Sequence, residues 1–419
     1  MPRPTLPLVV GSGLLLVALL EGPPPAQATN TDEDYELRVT LFDGTVHQGR
    51  VKMRKTTLDI VSPRKAKLRY KDIAQIEDVP PPSPEERARD LEQAAKRREL
   101  IKEGDPAGWG RLGKWARDHE LEEEARAAYE KALELDPDHA PSRAALGFTK
   151  TPQGWVKTEE LLQPEAQALA PDDLDGRVAL AKRAIKGGAD QLGFELLRDV
   201  LIRDAWHSEA LDAIHPFTAR YRQTTRLTLP VRGRWHASED KTDHHGLKAY
   251  AVYALDLMKV DAEEKAWKGD GKQLEEHHCF GQPFYAVAAG KVVSAHDGKP
   301  DNRPFDIPAS VRNAAKDEMT HNGVAILHEN NEVSWYIHAK NGSIKVKVGD
   351  EVKAGDLLGE VGNSGRSAIP HLHFTMVNFR GLSVPWACDD YLLIAEDGTP
   401  IKVRRACPRE GWTISSREE

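Results

Sequence analysis

His371-Leu372-His373, inside the run Gly359–Phe374 (GEVGNSGRSAIPHLHF), is the pair of side chains whose type and spacing point most directly to chemistry. Along an extended strand successive side chains alternate faces, so two histidines two residues apart project from one face. Imidazoles held that way on a stiff element can bind a metal with one ring and act on a bound water with the other. An HxH pair alone is weak. Its weight comes from the glycine-punctuated run before it, VKVGDEVKAGDLLGEVGNSG, and from an earlier group, Asp243-His244-His245-Gly246 and Asp256. Asp256 sits in YAVYALDL, an otherwise apolar strand, where a lone carboxylate is costly unless it is paired or metal-bound. His338, in Trp335-Tyr336-Ile337-His338-Ala339, is a second polar residue in an apolar strand. Zinc-assisted hydrolysis needs three protein ligands and an open position for water, and these residues are candidates to provide them.

Each residue also has a plainer use. His371 and His373 could be strand histidines satisfied by backbone groups, Asp256 could pair with Lys259, and His338 could pack beside Tyr336. His321 and His328 read as structural. Glu275-Glu276-His277-His278-Cys279 invites a second metal site, but it stands at a loop entry and reads as surface or structural. His236 and His296 carry no assigned role.

The elements that must position these groups lie in residues 225–394. There LTLPVRGRWHA, YAVYALDLMKV, PFYAVAAGKVVSAHD and GVAILHENNEVSWYIHA alternate with Gly-Asp turns, the pattern of an antiparallel β domain. A stretch near 298–319, rich in Pro, Asp and Asn, interrupts the strands and predicts a loop at the groove that tunes substrate choice. Residues 395–419 are expected as a tail. Upstream, residues 35–79 alternate in polarity around Asp43-Gly44 and resemble a small SH3-like or Sm-like barrel. Pro80–Pro84 marks a linker. Residues 85–222 are helical, and Leu112–Phe148 resembles one tetratricopeptide-type hairpin with the start of a next helix, Gln153–Val156 being a short cap. The fold class is therefore multidomain α+β, and the helical part is a spacer or a protein-docking arm.

Taken together, the residues from Leu227 to Trp386 resemble the lysostaphin-like zinc endopeptidases that cut peptide cross-links in bacterial peptidoglycan. GQPFYAVAAGKVV and WYIHAKNGSIKVKVGDEVKAGDLLGEVGNSGRSAIPHLHF carry the likeness most strongly. The resemblance implies that His245, Asp256 and His373 bind one zinc ion. It implies further that His338 and His371 polarise the zinc-bound water and stabilise the oxyanion. His244 stands beside His245, and since strand neighbours face opposite ways only one of the two can be a ligand. The spacing from His245 to Asp256 is longer than the compact H-x-x-x-D of many members.

The first residues bear on the compartment. Arg3, the apolar run Leu6–Leu20 and Ala26-Gln27-Ala28 form a signal-peptide pattern over residues 1–28. The run falls short of the roughly 20 apolar residues of a spanning helix. An exported protein in the periplasm or cell envelope is expected, with no stable transmembrane segment after cleavage. A net charge of −8 with 30% charged residues argues against a nucleic-acid partner and for a soluble globular chain acting on peptidoglycan peptides. Cys388 and Cys407 could close a disulfide, leaving Cys279 as a thiol. Two other functions share these features: a non-catalytic regulator of cell-wall hydrolases built on the same fold, and a scaffold acting through the helical arm.

Overall fold

The structure, a computed structural model, describes residues 36–53, 57–62, 64–78, 84–204, 207–218, 221, 223–238, 250–314, 319–329, 331–378, 381–409 and 411–416. The predicted signal peptide (1–28), His244 and His245 lie outside the described residues. Two compact units result, one from Met1–Val79 with Thr218–Glu419 and the other from Pro80–Phe217.

The first unit begins with β1 (Glu36–Leu41), β2 (Val46–Met53), β3 (Thr57–Ser62), β4 (Ala66–Arg69) and β5 (Ile73–Asp78). Leu37 and Val39 are buried while Arg38 and Thr40 are less so, the period-two pattern of a half-buried strand. Gly44 takes φ +85° in the β1–β2 turn, and the Thr45 amide donates to the Asp43 carboxylate at 2.8 Å.

The second unit is helical: α1 (Pro84–Glu99), α2 (Pro106–Asp118), α3 (Glu122–Leu135), α4 (Ala140–Ala145), α5 (Thr158–Ala168), α6 (Leu174–Lys186), α7 (Asp190–Arg203) and α8 (Ser208–Thr218). Asp105 caps α2 by accepting from the Gly108 amide, with Pro106 in the first turn. A Cβ at Gly113 would stand 2.7 Å from the Tyr129 ring, so glycine lets α2 approach α3 closely. Gln153–Val156, expected as a cap, instead belongs to a hairpin of β6 (Phe148–Thr151) and β7 (Gly154–Lys157).

The first unit resumes with β8 (Arg234–Ser238), β9 (Leu255–Lys259), β10 (Pro283–Tyr285), β11 (Gly290–His296), α9 (Ala309–Arg312), β12 (Gly323–Leu327), β13 (Val333–Ile337), β14 (Glu351–Val352), β15 (Leu357–Glu360), β16 (Leu372–Val377), β17 (Tyr391–Ile394), β18 (Pro400–Val403) and β19 (Thr413–Ser415). One sheet of 15 strands runs β14-β11-β12-β13-β16-β9-β8-β19-β17-β18-β5-β1-β2-β3-β4. Its pairings are antiparallel except β18 with β5. Two expectations change here. Residues 395–419 are not a tail: β19 lies between β8 and β17, with Ile401, Val403 and Ile414 fully buried. The strands of residues 35–79 are not a separate module but continue the same sheet through β5. Short strands such as PIKV and TIS carry too few residues to declare a period, and their burial is decided by partners distant in sequence.

Glu332, fully buried, accepts from the Tyr221 hydroxyl and the Thr224 amide at 2.9 Å and from the Thr225 amide at 2.9 Å. Those bonds favour its charged form strongly enough to hold its pKa below the ordinary value despite burial, and they fasten Tyr221, Thr224 and Thr225 to the domain. Phe284, Tyr336, Phe374 and Trp386 pack with ring centroids 4.8–5.7 Å apart. No disulfide joins the three cysteines. Among the described residues, no helix is long and apolar enough to cross a membrane.

Candidate metal centre

β16 is the keystone. All six of its residues are buried in a strand that β13 and β9 flank in the sheet, and its apolar sequence is interrupted by His373 and Thr375. Its register sets His373 opposite Ile337 on β13 and opposite Asp256 on β9. Directly opposed residues share a face, so His373 and Asp256 meet: His373 Nδ1 lies 3.0 Å from Asp256 Oδ1. Phe374, the next residue, turns to the other face and packs on Trp386 and Tyr336. His371, two residues before His373, returns to the site face, with Nε2 3.4 Å from the same Asp256 oxygen.

His338 follows the last residue of β13. As an ordinary strand continuation it would face away from Ile337 and His373. It takes φ +67° instead, in a region that non-glycine residues seldom occupy and that is often found at functional sites. Its ring then lies 4.7 Å from that of His371 and 5.9 Å from that of His373. His338, His371 and His373 bring ligand atoms within 4.8 Å of one another, a group that could hold a metal ion.

All four residues are 5–8% exposed. The His338 Nδ1–H donates to the Ser364 carbonyl at 2.7 Å, and the His371 Nδ1–H to the Ile369 carbonyl at 2.8 Å, with the Ser367 hydroxyl 3.3 Å away. A backbone carbonyl on one ring nitrogen aims the other nitrogen into the site. Burial and the neighbouring His371, His373 and His321 hold the His338 pKa well below its ordinary value; the Ser364 carbonyl opposes this more weakly. The ring is therefore neutral near pH 7, as both a ligand and a proton acceptor must be.

Of the plainer uses set out for these residues, a backbone partner is found on one ring nitrogen of His371, while the Asp256–Lys259 pair and the packing of His338 beside Tyr336 are not seen. Lys259 donates to Gln282 at 2.8 Å, while Asp256 faces the histidines. Tyr336 turns to the opposite side and accepts from the Val287 amide. Other histidines are placed away from the cluster. His328 bonds the Ala289 carbonyl and the Ser334 hydroxyl. His277 donates to the Gly271 carbonyl at 2.8 Å and packs against Trp267, and His278 lies 3.6 Å from Asp261. His321, read from the sequence as structural, has its ring 6.1 Å from that of His338, and sequence reasoning did not single out Ser364 and Ser367. The glycine-rich run was a visible pointer to that loop, but which carbonyl meets which ring depends on its folded path.

Residues 271–384 match the model of Peptidase family M23, a stretch holding all three histidines but not Asp256. Two proteins named lysostaphin, from Staphylococcus staphylolyticus and Staphylococcus simulans, are each 39% identical over 136 residues, 32% of this chain. The matched segment spans about a quarter of those relatives, 24% and 23% of their length. The crystallised catalytic domain of the Staphylococcus simulans lysostaphin is 22% identical, covering 36% of this chain and 83% of that one, with a TM-score of 0.21. Residues 271–384 therefore form a Peptidase family M23 region, similar in sequence to part of lysostaphin.

Proposed function

We propose, from that premise, that the C-terminal domain is a zinc-dependent endopeptidase that hydrolyses amide bonds in the peptide part of bacterial peptidoglycan, and that the protein is exported to the cell envelope. The observation that carries the reading is the convergence of three buried imidazoles, two of which also meet one buried carboxylate. Such a set would be unfavourable as packing alone and suits a borderline-soft divalent ion. Donors on a tetrahedral zinc at about 2.0–2.2 Å stand roughly 3.3 Å apart. The spacings of 3.0 and 3.4 Å at Asp256 fit two donors sharing an ion as well as they fit hydrogen bonds.

In this reading Asp256 and His373 hold the metal with His245, and His338 and His371 act on the substrate. A second ligand set has a specific observation in its favour: among the described residues, His338, His371 and His373 come within range of one ion, with Asp256 then orienting the rings of His371 and His373. Metal content of His245→Ala and His338→Ala decides between the two sets, since only the variant that removes a ligand should lose the ion.

Zinc bound at this centre would supply Lewis acidity to the scissile carbonyl and lower the pKa of a water toward about 7. His338, kept neutral and with Nδ1–H committed to Ser364, turns Nε2 toward the reacting groups as an acceptor for the proton of the attacking water. His371, its ring fixed by Ile369 and Ser367, turns Nε2 toward the same point, where its protonated form would hydrogen-bond the developing oxyanion; the proton that His338 takes from the water would then pass from His338 Nε2 to the leaving amine. The 298–319 segment borders the same loop and presents Phe305, 56% exposed at φ +65°, with its amide on the Ala368 carbonyl and its ring 5.9 Å from Trp267. We assign this edge to substrate choice. Release of soluble fragments from purified peptidoglycan tests the function: it should occur, stop with a chelator, and be absent in His371→Ala. A folded, zinc-loaded protein that releases nothing would favour the regulator.

A further inference from the structure

The 298–319 segment has an inner side as well as an exposed one. Asn302 is 4% exposed, and its side-chain amide donates to the Gly365 carbonyl at 2.5 Å and to the Ser367 carbonyl at 3.0 Å. Its backbone amide donates to the Asn363 carbonyl at 3.0 Å, and its carbonyl accepts from the Asn363 side chain at 3.1 Å. Asp301 accepts the amide of Asn363 at 2.7 Å on one oxygen and that of Asn341 at 3.0 Å on the other. The Asn363 side-chain oxygen in turn accepts from the Ser367 hydroxyl. Every bond from Asn302, and one of the two from Asp301, lands on residues 363–367. That stretch supplies the Ser364 carbonyl to His338 and the Ser367 hydroxyl to His371.

We infer that Asn302, backed by Asp301, is a positioning residue for both histidines: it locks the 363–367 loop so that His338 keeps its proton on Nδ1. The inference rests on the hydrolase reading above. A fixed loop makes the Ser364 carbonyl a fixed acceptor, and a fixed acceptor selects one tautomer. Without the Asn302 amide, the buried Ser367 carbonyl loses its donor and the Gly365 carbonyl keeps only the Ser367 amide, so the loop must shift or admit water to satisfy them. The Ser364 carbonyl moves with it. His338 can then carry its proton on Nε2, where it no longer accepts one from the attacking water. Substrate contacts outside this loop are untouched, so turnover falls while the Michaelis constant holds.

The test compares the full chain with Asn302→Ala. Ring-nitrogen NMR of the metal-free protein at neutral pH should show His338 as the Nδ1–H tautomer in the parent and a mixture in the variant. With zinc, kcat should drop about 10–100-fold and KM change by less than about threefold, the scale expected for partners behind a metal site. A variant that unfolds at the parent's temperature, with His338 and kcat unchanged, overturns the inference. Should Asn302→Ala not fold, Asn302→Ser removes the same amide with a smaller loss of polar volume and gives the same readings, and parental His338 and kcat there overturn it likewise. If the parent hydrolyses nothing, the hydrolase reading falls, while the ring spectrum still decides whether Asn302 sets the tautomer.

Discussion

His328 and His338 close the two strands of one hairpin, β12 and β13, and both are buried. At His328 each ring nitrogen has a fixed partner, the Ala289 carbonyl and the Ser334 hydroxyl, and burial lowers its pKa. At His338 one nitrogen is tied to Ser364 while the ring faces two further histidines, and the backbone takes a left-handed turn to put it there. Burial and a lowered pKa are common to both, so neither property separates chemistry from packing. What separates them is whether the ring's second nitrogen ends on a local partner or on a shared point with other ligand atoms.

The sharpest way to break this comparison is to remove one ring from each group. His371→Ala should lower fragment release by at least about 10³-fold, within the range set by general acid–base and oxyanion contributions, as should metal removal by a chelator in the parent. His328→Ala should leave kcat per folded molecule within about twofold. It should instead cost about 1–3 kcal/mol of stability in urea unfolding, since it removes the partner of the Ala289 carbonyl and one of the two partners of the buried Ser334 hydroxyl. A large loss of kcat in a folded His328→Ala protein would sink the distinction.

The two histidines also show how much was legible beforehand. The HxH on a strand, Asp256 as a polar break in an apolar strand, and the family likeness together name four residues that the structure brings together. Those signals are local, or depend on a period of two that survives in any sheet. Illegible were the facts that depend on pairing across the chain: that Asp256 shares a register with His373, and that β5 pairs with β18. The φ +67° turn at His338 left no mark either, because histidine, unlike glycine, does not advertise a left-handed conformation. The insertion's role was half visible: Pro, Asp and Asn announced a loop, but not that Asn302 would be buried beneath it.

Acid provides a gentler separation. Burial holds the folded pKa of His328 below its unfolded value, and only Glu332 and the Ala289 carbonyl oppose it. Above the unfolded value, about 6.5, the ring is neutral in both states and its contribution to stability is complete. As pH falls below that, the unfolded chain takes up the proton first and stability drains away, until the folded pKa is passed and the loss levels off. Urea midpoints of the metal-free protein at pH 7.5 and 5.5 should therefore drop, and drop less in His328→Gln. An equal drop in both would place the acid sensitivity in the His338 group.

The smallest effect should come from the edge of the site. Phe305 is a half-exposed ring on strained backbone, stacked edge-on against Trp267, beside the loop that leads into His371. It touches none of the four central residues through a hydrogen bond, so its removal should not disturb the proton path. An aromatic contact of this kind contributes about 0.5–1.5 kcal/mol. Phe305→Ala should then raise KM about three- to tenfold with kcat nearly unchanged, the signature of lost uniform binding. A fall in kcat at constant KM would move Phe305 from the substrate edge into the machinery that Asn302 fastens, and the two sides of the insertion would no longer be separable.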